Sequence, residues 1–423
     1  MIPSATRVPD PAVRRLTTTL YGYAFLSDLV LLYPLYVVFF IDSGLSVGQI
    51  SSLFVIWSVA GILFEVPSGA WADVVSRRLL LCLGPLVAAA GFALWVLVPS
   101  YPAFAVGFLL WGAGGALVSG AQEALVWTEL DRLGATGRYA RVLGRARTAG
   151  VLGVVLSGVL AGPVLAAGGY PAVGAASVLA CLLASIVATR FPEHRTPATG
   201  STRQTSELDD DDGNLGWWDT LRAAVAQVRT RAPVRNAVLL VAVVAADWGA
   251  LDEYTPLLAL DTGVGAQAVP LLLLLLWAGV TVGGLLAPAG ERLGSRGYAA
   301  LPGLVGVALA AGALLRHPAG FVLLAVAFGA AQLATVLADA RLQARVTGTS
   351  RATVTSLAGM ATDVLVIVTY AGYGLLATAA GNAVAFALTA GAYLVVAVVL
   401  LTRRRRGAAV PSGSTASLAR DPG

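Results

Sequence analysis

Twelve long apolar runs set the terms for this chain: 16–41, 49–72, 79–98, 103–128, 148–168, 171–189, 236–260, 266–290, 298–315, 319–338, 352–378 and 381–402. A helix rises about 1.5 Å per residue, so about 20 apolar residues cross the hydrocarbon layer of a bilayer. The runs are continuous rather than alternating, which spells helices and not the strands of a barrel. Charged residues are only 12% of the 423, against about 25% in a soluble domain. The sequence therefore predicts an all-α polytopic membrane protein with twelve transmembrane helices.

Every basic residue is an arginine, and their placement orders the runs. With both termini cytoplasmic, all 28 arginines except Arg316 fall on the inner side, as insertion requires of positive charge. This predicts a multi-pass protein of the cell (cytoplasmic) membrane. The net charge of +5 reflects that topology, and no nucleic-acid partner is expected. The first run follows Arg14 and Arg15, yet it is far longer than a signal-peptide core and has no cleavage site after it, so it reads as a span. The predicted domains are a cytoplasmic tail (1–15), a six-helix bundle (16–190), a cytoplasmic linker (191–235), a second six-helix bundle (236–402) and a cytoplasmic tail (403–423). The linker begins with Pro192, Pro197 and an acidic run at 209–212. Near 217–230 it turns amphipathic, with Trp217, Leu221, Ala224, Val225 and Val228 at helical spacing.

The two bundles repeat one another. Asp28 and the segment Asp42-Ser43-Gly44-Leu45 match Asp247 and Asp261-Thr262-Gly263-Val264. Asp73 and Arg78 align with Glu291 and Arg296, and Glu123 aligns with Asp339, at offsets that drift by only a few residues. Rare intramembrane acids recurring in register predict a duplicated unit and two pseudo-symmetric halves with a path between them.

Between the second and third runs stands Gly69-Ala70-Trp71-Ala72-Asp73-Val74-Val75-Ser76-Arg77-Arg78, preceded by Phe64-Glu65-Val66-Pro67-Ser68. The segment resembles the G-x-x-x-D-x-x-G-R-R loop of the major facilitator superfamily, with Ser76 in place of the usual glycine. The fifth run holds Gly158, Gly162, Pro163, Gly168 and Gly169, similar to the antiporter motif of that family's drug-efflux branch with one extra residue. The helix 4 arginine of many such antiporters has no counterpart; Phe108 and Trp111 occupy its neighbourhood. The resemblance implies two bundles that rock about a central site. In the first motif Gly69 would let helices approach closely, and Asp73 would dock on the start of the eleventh helix near Ser350 and Arg351 as a cytoplasmic gate with Arg77 and Arg78. The plainer reading of the arginine pair is that it only fixes topology.

Intramembrane acids are the remaining candidates. Asp28, Asp247 and Asp363 fall near mid-membrane, Asp252 and Glu253 in the outer half of the seventh helix, and Glu65 and Glu123 in inner halves. A bare carboxylate there costs at least about 2.5 kcal/mol, so each needs a cavity or a partner. Their use is proton carriage or attraction of a cation; for Glu123 a pairing with Arg145 and Arg147 competes. Tyr33, Tyr36, Trp57 and Trp248 are candidate cavity aromatics, with packing as their commoner fate.

Several chemistries are excluded. There is no lysine for a phosphate-binding loop, and His194 and His317 stand apart in a linker and a loop, so no paired-histidine metal site or serine triad is available. Cys82 and Cys181 lie in apolar runs. The expected protein is no enzyme, carries no cofactor and is monomeric. It would be a secondary transporter, exporting hydrophobic or cationic drug-like small molecules against protons. Uptake of a metabolite is the nearest alternative, and a non-transporting receptor or scaffold is the alternative of another class.

Overall fold

The computed structural model describes residues 11–194, 222, 226, 228–346 and 351–408; the side chains of 65–74, 295, 351, 352 and 403–408 lie outside that description. The expected amphipathic helix near 217–230 falls mostly outside it too, with Arg222, Ala226 and 228–230 helical. Among the described residues there are helices and no strands.

The first span is not continuous. Helix α1 (Pro11–Asp28) ends at residues 29–35, and α2 (Tyr36–Asp42) resumes beyond them. Pro34 lies inside this break. A proline removes one helix donor and pushes the residue before it, here Tyr33, out of the helical region. The seventh span breaks likewise, into α7 (Ala232–Asp252) and α8 (Thr255–Asp261), with Pro256 in the first turn of α8. The short helices α2 and α8 are both seven residues long. They begin at positions that the sequence repeat aligns, Tyr36 and Thr255. Each is followed by an equivalent glycine in the left-handed region, Gly44 (φ 87°) and Gly263 (φ 85°), where a side chain would be strained. The duplication thus reaches backbone conformation.

The other spans are α3 (Val47–Val74), α4 (Arg77–Leu97), α5 (Tyr101–Arg132), α6 (Tyr139–Ala188), α9 (Val269–Leu285) with the short α10 (Ala287–Gly290), α11 (Ser295–Leu314), α12 (Gly320–Arg345) and α13 (Arg351–Ala380). The last is formed by α14 (Asn382–Thr389) and α15 (Gly391–Ala408). Among the described residues, ten stretches are long and apolar enough to cross a membrane. One of them, Thr136–Ala188, holds two spans, because α6 leaves helical geometry at Gly168 and Gly169. Gly150 and Gly153 pack on Asp28 and Phe25. Beyond the turn, Tyr170 reaches Asp42 and the Ser177 hydroxyl accepts from the Leu32 N–H at 3.0 Å, so the chain runs back along the first span. With the broken first span, these two halves of α6 bring the spans to twelve.

The ends of the spans that carry the Ser76 and Gly134 turns are called here the near side, and those with the Gly44 and Gly263 turns the far side. Arg316 sits in a far-side turn and the other described arginines towards the near ends, in the alternation expected.

The contacts between the halves gather on the far side. A Cβ on Gly162 would stand 2.2 Å from the Gln267 carbonyl oxygen, and one on Gly374 would stand 2.7 Å from Ser51. Only a missing side chain permits such closeness, and in a bilayer tight packing must supply what the hydrophobic effect does not.

Candidate functional site

A cavity of about 650 Å³ lies between the halves. Trp57, Gly61, Trp111 and Gly115 of the second and fourth spans face Gly249, Glu253, Asp363 and Tyr370 of the seventh and eleventh across it. A second cavity, about 680 Å³, shares Trp57 and Trp111 with the first and extends among the first, fifth and eighth spans, past Asp28, Tyr33 and Trp277. Together they form one central space with a tryptophan partition.

Helical spacing explains the lining. Ala245, Gly249 and Glu253 recur every four residues on one face of the seventh span; the first two are small and leave the room that Glu253 overlooks. Asp28 stands at the end of α1 and is exposed to its cavity. Its carboxyl rests on Gly150, where a Cβ would come 2.2 Å from Oδ2. The Tyr36 hydroxyl donates to Glu253 across the two halves, and the Trp277 indole lies beside Asp252. The acids sit where the two broken helices face each other. No ion pair joins Asp28, Asp252 or Glu253 to a described cation; the ion pairs found, Arg132–Glu129 and His194–Glu129, lie at the near side.

Aromatic rings make the walls. Trp57 stacks on Trp111 at 5.2 Å and 17°, and Tyr33 stacks on Trp277 at 5.7 Å and 26°. Ring faces are negative, so a cation over them gains about 0.5–2 kcal/mol, more as water is excluded. Neither cavity is lined by an arginine or a histidine. The lining is therefore aromatic and acidic, without a cationic side chain.

On the far side the space is capped. Tyr254 stacks on Tyr373 at 3.7 Å, and its hydroxyl bonds Ser51 at 2.8 Å. Phe54 meets Tyr254 at 5.3 Å and Tyr370 at 5.2 Å. Tyr254, Phe54 and Tyr373 are fully buried, and each ring pair adds about 0.5–1.5 kcal/mol beyond burial.

The other candidates lie elsewhere. Asp247 is buried on the face of α7 opposite the cavity lining, and its Oδ2 has no hydrogen-bond partner. Nearby, Tyr393 donates to the Val244 carbonyl and accepts from the Trp248 N–H. Trp248 bonds Thr335 and packs on Phe328 within its own half. Glu123 is exposed, and no described ion pair joins it to Arg145 or Arg147. Gly158 and Gly162 meet Leu274 and Gln267 of the other half, with Pro163 one residue on in the same helix.

Within the loop motif, the side chains of Gly69 and Asp73 and the segment 347–350 lie outside the described residues. Arg77 donates to the Ala124 carbonyl and to Thr128, while Glu193 caps its backbone N–H at 2.7 Å. Arg78 is exposed. Trp111, Trp277 and Tyr370 are the site residues that sequence reasoning missed. The sequence did single out the neighbourhood of Phe108 and Trp111, where the antiporter resemblance leads to the expectation of an arginine.

A family model described as Major Facilitator Superfamily matches residues 19–315. Among solved structures, a bacterial homologue of the human lysosomal transporter Spinster, in an inward-facing and unoccupied conformation, is 15% identical with a TM-score of 0.70, covering 94% of this chain and 98% of that one. The nucleoside transporter NupG is 12% identical with a TM-score of 0.71, covering 94% and 100%. A POT family peptide transporter in an auto-inhibited state is 15% identical with a TM-score of 0.65, covering 95% and 99%. No curated protein matches the chain.

Proposed function

The chain belongs to the Major Facilitator Superfamily, and on that premise we propose that this transporter exports hydrophobic, cationic small molecules in exchange for protons. The observation that carries the reading is the central space between the halves, walled by Trp57, Trp111, Tyr33 and Trp277 and furnished with Asp28, Glu253 and Asp363. Aromatic faces and carboxylates are the two features that hold an apolar cation, and no lining residue opposes one.

In this mechanism the substrate enters from the near side, which the arginine distribution makes cytoplasmic. It settles against the Trp57–Trp111 stack with its charge towards Asp28 or Glu253. The Tyr36 hydrogen bond to Glu253 joins the halves and is strongest while the carboxyl is ionised. A proton arriving at Glu253 weakens the bond, and a cation bound beside it competes for the same oxygens. Opening the far-side cap at Tyr254, Ser51 and Phe54 then exposes the space outward. Because proton and substrate charge use the same carboxyls, one leaves as the other arrives. Asp73, with Gly69, Arg77 and Arg78, would hold the near side shut in that outward state.

Everted vesicles that contain the protein test the proposal. With a proton gradient acid inside, they should accumulate a fluorescent aromatic cation, and collapsing the gradient should release it. Accumulation of a neutral metabolite without the cation, or transport indifferent to the gradient, would overturn the reading.

A further inference from the structure

Away from the transport path, a groove of about 430 Å³ opens at the near half of the second bundle. It lies between the seventh, ninth, tenth and twelfth spans. Asn236, Leu239 and Val243 line it from α7, and Val395 and Val399 line it from α15. The wall is apolar and open to the side: Leu239 is 51% and Val395 63% exposed, where the surrounding medium is lipid.

The near end of the groove is cationic. Arg341 lays its guanidinium 3.5 Å over the ring of buried Tyr298, and Arg345 follows one helical turn nearer the membrane surface. Arg341 also bonds the Leu337 carbonyl at 3.4 Å, which leaves most of the five guanidinium donors unspent. Neither arginine forms an ion pair with a described acid. Two cations beside hydrocarbon need an anion, and the shape of the groove says which kind. An anion alone satisfies the arginines and leaves the apolar channel empty; an uncharged lipid does the reverse.

We propose that this groove binds an anionic phospholipid of the near leaflet, with its phosphate between Arg341 and Arg345 and an acyl chain along Leu239, Val243, Val395 and Val399. Basic pockets between spans at the cytoplasmic boundary have the chemistry for such headgroups. The site is independent of which substrate the central space carries. The acidic run at 209–212 of the chain's own linker is the rival occupant.

Thermal unfolding of the purified full chain in neutral detergent tests the assignment, with titration of dioleoylphosphatidylglycerol, dioleoylphosphatidylcholine or sodium phosphate. The phosphatidylglycerol should stabilise the protein at lower concentration than the phosphatidylcholine. Arg341→Gln and Arg345→Gln should each weaken its apparent affinity by about fivefold. Leu239→Trp, which fills the apolar channel and keeps both arginines, should remove the preference and controls for the loss of Arg341 packing on Tyr298. Equal titration by the two lipids, variants that titrate like the parent, or inorganic phosphate reproducing the shift would each overturn the proposal. So would D209N/D210N/D211N/D212N, if without lipid it destabilises the chain as much as the combined R341Q/R345Q variant does.

Discussion

A carboxyl group inside a bilayer persists only where something repays its burial, and Asp28 is held by geometry rather than by a counter-charge. Gly150 makes its seat and a cavity lies before it. Asp28→Asn keeps the shape and removes the charge. It should weaken uptake of an aromatic cation into everted vesicles by about tenfold or more, since a bond to a charged group is worth about 1.5–3 kcal/mol, and the remaining transport should keep only the pH dependence that Glu253 supplies. Trp111→Ala should raise the half-saturating concentration of the same cation by up to about thirtyfold, the value of a desolvated cation–π contact near 2 kcal/mol. A neutral substrate of equal size should lose less. These acids were legible in the sequence because charge is rare in apolar runs. Trp277 and Tyr370 were not, because an aromatic ring suits a packed core, an interface and a cavity alike. Asp247 shows a subtler limit. The repeat aligns it with Asp28, but α1 stops at Asp28 whereas α7 continues to Asp252. The acid that ends a helix at the site is therefore Asp252, and Asp247 is carried around to the far face of the helix.

At the scale of elements, the breaks in the first and seventh spans matter most. Both were written as continuous apolar runs, and both contain a proline, at Pro34 and Pro256. Apolar composition marks where a span is, but the helix ends are set by backbone chemistry that a hydropathy pattern does not register. The glycine motif of the fifth span was legible, though the contact it serves was not. It lets that helix press on the eighth span across the halves. Gly162→Leu would drive a side chain into the Gln267 carbonyl and hold the far side apart. The variant should reach the membrane in normal amount, yet its transport should fall at least tenfold, read as initial uptake per molecule of protein. Normal transport would show that the close approach is dispensable.

For the whole molecule, the count of spans, the duplication and the interface between halves were all readable from apolar runs, arginines and matched acids. Which way the space faces was not, because it depends on long-range contacts between the halves. Those contacts gather on the far side, around Tyr36–Glu253 and Tyr254–Ser51. The account makes this closure one of two alternating states of a single path. Gly48 and Thr378 offer the direct test, since a Cβ on Gly48 would lie 3.6 Å from Thr378 Oγ1, close to disulfide range. In a chain with Cys82 and Cys181 changed to alanine, the G48C/T378C pair should form a disulfide on mild oxidation. Uptake of the aromatic cation in everted vesicles should then stop, and return on reduction. Undiminished transport with the bond fully formed would contradict the account.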